Sequence, residues 1–97
     1  MTMKTEKQLQ DYLRKQCLVR GISFDKVESR SRRGFPDIFM ARDGQVVLAE
    51  LKSPAGTGKV SALQQRCIDD LLAHGVVTYI IDSVDGVGEI IDLFEGV

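Results

Sequence analysis

Asp37-Ile38-Phe39-Met40-Ala41-Arg42-Asp43-Gly44-Gln45-Val46-Val47-Leu48-Ala49-Glu50 is a pair of apolar runs on either side of Asp43-Gly44. Asp-Gly between such runs is the strongest short-range sign of a two-residue turn joining antiparallel strands. Counting outward from the turn pairs Arg42 with Gln45, Phe39 with Leu48 and Asp37 with Glu50. Directly opposed residues have Cβ atoms about 4.5–5.5 Å apart, so two carboxylates placed there repel unless positive charge lies between them. A divalent cation meets that need. Side chains alternate along a strand, which brings Lys52 out beside Glu50 and sends Leu51 to the other face. Pro36 lacks an amide hydrogen and fits the first position of a strand, so Asp37 lies at the strand's mouth, within reach of a ligand.

The flanking segments supply helices. Thr5-Glu6-Lys7-Gln8 has the spacing of a capping box, after which Leu9, Tyr12, Leu13, Cys17 and Arg20 share one helical face up to Gly21. Residues 22–29 read as a first strand, although the alternation breaks at Asp25-Lys26. Beyond the hairpin, the glycine-rich segment 53–59 forms a loop beside the carboxylates. Ser61 opens a second helix with Leu63, Cys67, Ile68, Leu71 and Leu72 at spacings of three and four, followed by Gly75. Val76-Val77-Thr78-Tyr79-Ile80-Ile81 is a continuous apolar run of the kind found in a buried strand. Ser83 caps a short last helix carrying Val87, Ile90, Ile91 and Phe94. The expected class is α/β with a mixed sheet. Phe39, Val46 and Leu48 share the carboxylates' face and Ile38, Met40, Val47, Ala49 and Leu51 the other, so helices are expected on both faces.

With 97 residues, 43% of them hydrophobic, the chain reads as one folded domain over residues 1–97. It contains no apolar run of the roughly 18 residues a membrane span needs, and its first residues lead into a polar helix rather than a signal peptide. The expectation is a cytoplasmic protein of a bacterial or phage-infected cell. Cys17 and Cys67 read as small buried hydrophobes rather than a disulfide or a zinc site. His74, the one histidine, precedes Gly75 at a helix end, which excludes a Ser/His/Asp triad. The net charge of -1 averages two unlike regions. The acids Asp82, Asp85, Glu89, Asp92 and Glu95 occupy a C-terminal stretch with no Lys or Arg, leaving 13 basic against 9 acidic residues before it, a net +4. Lys26, Arg30, Arg32 and Arg33 lead directly to Asp37, and Lys59 lies in the loop after the hairpin; Arg and Lys there suit contact with nucleic-acid phosphates.

Asp37 followed by Glu50-x-Lys52, with Pro36 before the Asp and this order of helices and strands, resembles the PD-(D/E)XK nuclease superfamily. Gly34-Phe35-Pro36-Asp37, Glu50-Leu51-Lys52 and Ser61-x-x-Gln64 at a helix start resemble its VRR-NUC (virus-type replication-repair nuclease) branch, and the likeness runs from Glu6 to about Ile81. The resemblance implies a minimal, stand-alone member with a restriction-endonuclease-like α-β-β-β-α-β core, a mixed four-stranded sheet flanked by helices and a short C-terminal helix. It implies an Mg²⁺- or Mn²⁺-dependent, structure-selective endodeoxyribonuclease. Asp37, Glu50, Lys52 and Gln64 would be catalytic, and the metal would rest on Asp37, Glu50 and the backbone carbonyl of Leu51.

Two residues keep two readings. Gln64, three after Ser61, either completes a capping box or serves the site. Glu6 either favours its helix N-terminus or joins the metal, as a helix-one acid does in family members. Stand-alone relatives imply a homodimer acting on branched DNA such as four-way (Holliday) junctions. The rival class is a DNA-binding module of the same fold without catalysis. A nucleotide cofactor is not expected: Gly56-Thr57-Gly58-Lys59 has Ser53 where a phosphate loop has its first glycine, and Val60 where it has Ser or Thr.

Overall fold

The computed structural model describes residues 3–56 and 58–96. The order is α1 (Glu6–Leu18), β1 (Ser23–Lys26), β2 (Ile38–Arg42), β3 (Gln45–Leu51), α2 (Ala62–Ala73), β4 (Thr78–Ile81) and α3 (Val84–Glu95). Asp43 and Gly44 take φ of 51° and 83° and close the β2–β3 hairpin with both central residues left-handed, the conformation Asp-Gly favours. Arg42 pairs with Gln45 and Phe39 with Leu48, the register counted from the turn. The strands lie in the order β1-β2-β3-β4, antiparallel except for the parallel β3–β4 pair, so the sheet is mixed.

All three helices begin on a hydroxyl. Thr5 and Ser61 each form complete capping boxes with Gln8 and Gln64, and Ser83 caps α3 by accepting from the Gly86 amide. One face of the sheet carries the core. Leu9, Leu13 and Cys17 of α1 and Val87, Ile90, Ile91 and Phe94 of α3 pack there with Ile38, Met40, Val47, Ala49, Leu51 and Ile81. Arg42 donates to the carbonyls of Arg20 and Phe94 and pairs with Glu95 at 3.3 Å, fastening the end of α3 to the sheet.

The other face departs from expectation. α2 lies on it, yet of its residues only Cys67 is buried. Val46 is 56% exposed, Leu72 58% and Ile80 41%, so this apolar face is only partly covered. The run at 76–81 is correspondingly not a buried strand: its ladder starts at Thr78 and β4 is an edge. β1 is the opposite edge and is shorter than residues 22–29, ending at Lys26 where the alternation fails. Among the described residues no helix is long and apolar enough to cross a membrane.

Candidate active site

The β2–β3 ladder stops at Ile38 and Ala49, one pair short of the two carboxylates. Beyond it, Asp37 Oδ1 reaches across to accept from the Leu51 amide at 3.3 Å. Pro36 is fully buried, which anchors the turn into β2 and holds Asp37 at its mouth.

Glu50 is only 5% exposed. Burial is the largest influence on its carboxyl, the charge of Asp37 adds to it, and Lys52 opposes both; the pKa is pushed from an ordinary 4.5 up to about 7. Asp37 is also raised, first by burial, with the Leu51 amide and Lys26 pulling it back. A buried acid and a half-buried one, both with raised pKa values, form a site short of positive charge.

Gln64 joins the pieces. Its Nε2 donates to Glu50 Oε1 at 2.7 Å, while its Oε1 accepts from Lys52 Nζ at 2.8 Å and from the Ser61 amide at 2.9 Å. The capping and active-site readings of Gln64 therefore coexist, because the carboxamide turns inward and uses both ends. Lys52 is fixed twice more. Its amide donates to the Ile81 carbonyl at 2.9 Å, and Gly58 of the following loop lies against the Lys52 alkyl chain.

Glu6 stands in the first turn of α1, and its charge raises the pKa of both Asp37 and Glu50, so the helix start faces the site. It does not complete a cluster, since among the described residues no three His, Cys, Asp or Glu side chains gather as a metal-binding group. Leu51 is 1% exposed, its side chain locked in the core, which leaves only its backbone available. Of the cations, Arg30, Arg33 and Lys59 are exposed at the surface. Arg32 is instead paired with Asp70 of α2 at 2.8 Å, and Lys26 donates to Gln10 Oε1 at 3.1 Å.

In the sequence Gly34 stands out only as part of a motif. Its φ is 80°, and a Cβ there would lie 2.5 Å from the Leu63 carbonyl oxygen and 2.8 Å from the Gln64 amide nitrogen. The loop into β2 thus rests directly on the first turn of α2. A glycine directly before Phe35-Pro36 was the available signal.

No family model matches the sequence, and a comparison with curated proteins finds no match. A solved structure described as a VRR_NUC domain superposes with a TM-score of 0.78 over 90% of this chain and 94% of that one, at 21% identity. The chain therefore has the VRR_NUC fold, an α/β restriction-endonuclease-like core with a mixed four-stranded sheet.

Proposed function

We propose that the protein is an Mg²⁺- or Mn²⁺-dependent, structure-selective DNA endonuclease of the PD-(D/E)XK type. The observation that carries this reading is the opposed pair of half-buried Asp37 and buried Glu50 with Lys52 held beside them through Gln64. The donor set fits the ion. Mg²⁺ takes hard oxygen ligands, binds through one or two carboxylates and keeps several waters, and the raised carboxyl pKa values mark a place that positive charge would stabilise. Asp37, Glu50 and the Leu51 carbonyl would hold it. Bound there, the cation would supply Lewis-acid polarisation of a phosphate oxygen and a more acidic water. Lys52, immobilised by Gln64, places its ammonium where negative charge develops on the phosphate.

DNA reaches the site along the loop that precedes Asp37. Arg30 and Arg33 stand at the surface to meet phosphates, and Lys59 adds a third cation. Removing Arg30 and Arg33 together is expected to weaken binding evenly across sequences and to lower the slope of log affinity against log salt by about two. Arg32→Ala is expected to move that slope less, because its guanidinium already pairs with Asp70. An unchanged slope in the double variant removes the loop from the interface.

The active unit in this reading is a homodimer acting on branched DNA. A groove of about 640 Å³ lined by Phe35, Phe39, Val46, Leu48, Val76 and Val77 lies on the sparsely covered face, and neither carboxylate lines it. Burying that apolar face against a second copy would add core to a small domain and present two sites to two strands. Sedimentation at micromolar concentration should give a dimer that Val46→Glu dissociates, with four-way junctions cut faster than linear duplex. A monomer that cuts linear duplex as fast as junctions would rule this out.

A further inference from the structure

We propose that Gly34 is a positioning residue: the absence of a side chain there sets how deeply the loop bearing Asp37 seats on α2, and thereby where the Gln64 carboxamide sits. The obstruction a side chain would meet is the peptide between Leu63 and Gln64, which is backbone and cannot rotate away. Ordinary Cβ contacts begin at 3.4 Å, so a Cβ 2.5 Å from the Leu63 oxygen forces a retreat of roughly 1 Å. Gln64 has no such slack. Its bonds to Glu50 and Lys52 are 2.7 and 2.8 Å long, and lengthening either by that much takes it past hydrogen-bonding range. The loop cannot simply lift, because the Arg32–Asp70 pair pins it to the same helix and Pro36 is buried just before Asp37. A side chain at 34 therefore separates Gln64 of α2 from Glu50 and Lys52 on the hairpin that also carries Asp37.

The left-handed φ of Gly34 is a second reason for glycine, and the protein contains its own control. Gly75, just beyond the opposite end of α2, has φ 82° with nothing within 4 Å of where a Cβ would lie, so Gly75→Ala brings the backbone strain without the collision. The kinetic arm of the test rests on the nuclease reading; the spectroscopic arm does not. Single-turnover cleavage and DNA affinity are measured for Gly34→Ala, Gly75→Ala, Gln64→Ala and the Gly34→Ala/Gln64→Ala pair. Gly75→Ala is expected to stay within about twofold of wild type, while Gly34→Ala loses about 10²-fold in rate with little change in affinity. In the Gln64→Ala background Gly34→Ala should cost almost nothing further. An undiminished rate in Gly34→Ala, or the same loss in both backgrounds, overturns the proposal.

The second arm follows the Gln64 side-chain amide signals by NMR, assigned through their loss in Gln64→Ala. They should move in Gly34→Ala and hold still in Gly75→Ala, and signals that hold still in both overturn the proposal. Should Gly34→Ala fail to fold, Arg32→Ala loosens the same clamp at an exposed pair, and the Gln64 signals should shift in the same protein; unmoved signals overturn the proposal. A wild-type protein that cuts no DNA refutes the nuclease reading and leaves this arm to decide on Gly34.

Discussion

Asp37→Ala and Glu50→Ala are each expected to bring DNA cleavage down by at least about 10³-fold, while the metal-free protein melts no lower than wild type. The two halves of this result have one cause. Burial and mutual repulsion make the carboxylates costly in the folded, metal-free protein, and nothing in the hydrophobic core depends on them. Each does satisfy a neighbour, Asp37 the Leu51 amide and Glu50 the Gln64 carboxamide, so Asp37→Asn and Glu50→Gln separate charge from hydrogen bonding. Lys52→Ala is expected to lose about 10²-fold for want of its charge beside the phosphate. Melting curves in EDTA check the stability half: a drop of several degrees in Asp37→Asn or Glu50→Gln would make the carboxylates structural.

The second large effect is on stability against pH. Glu50 binds its proton more tightly folded, at about 7, than unfolded, at 4.5. A raised carboxyl pKa contributes stability that is present below the unfolded value and is lost as the pH climbs through the folded one. This contribution is therefore full below about pH 4.5, is already falling at pH 5, and is lower by on the order of 1–2 kcal/mol at pH 8, after solvent screening at the mouth of the site is allowed for. For a domain of this size that is about 5–10 °C in Tm. Asp37 acts in the same direction; Lys52 tempers Glu50 and Lys26 tempers Asp37. Glu50→Gln should flatten most of the slope, and millimolar Mg²⁺ at pH 8 should recover the lost stability by restoring positive charge. A wild-type Tm that is level between pH 5 and 8 without metal would refute the charge deficit.

The hairpin was legible because a single dipeptide fixes it. Asp43-Gly44 dictates the turn, the turn dictates the register, and the register carries Asp37 to Glu50 without tertiary information. The caps at Thr5, Ser61 and Ser83 were equally local. What could not be read depends on packing between distant segments. An apolar run such as 76–81 looks the same in a central strand and at an edge beside a sparsely covered face, and β4 is the latter. Arg32 read as a free cation because its partner, Asp70, lies 38 residues away. The direction of the Gln64 side chain, which decides between cap and site, follows from how close α2 approaches β3, and that spacing is set at Gly34.

The most direct measurement is cleavage of a labelled four-way junction by purified protein in EDTA, then after addition of Mg²⁺ or Mn²⁺, beside Asp37→Ala purified in the same way. A metal-dependent nuclease gives no product in EDTA, cleavage on adding either cation, and none from Asp37→Ala under any condition. Cleavage that persists in EDTA, or that Asp37→Ala retains in full, would contradict this, and a wild-type protein that binds the junction but never cuts it would make this fold a DNA-binding module.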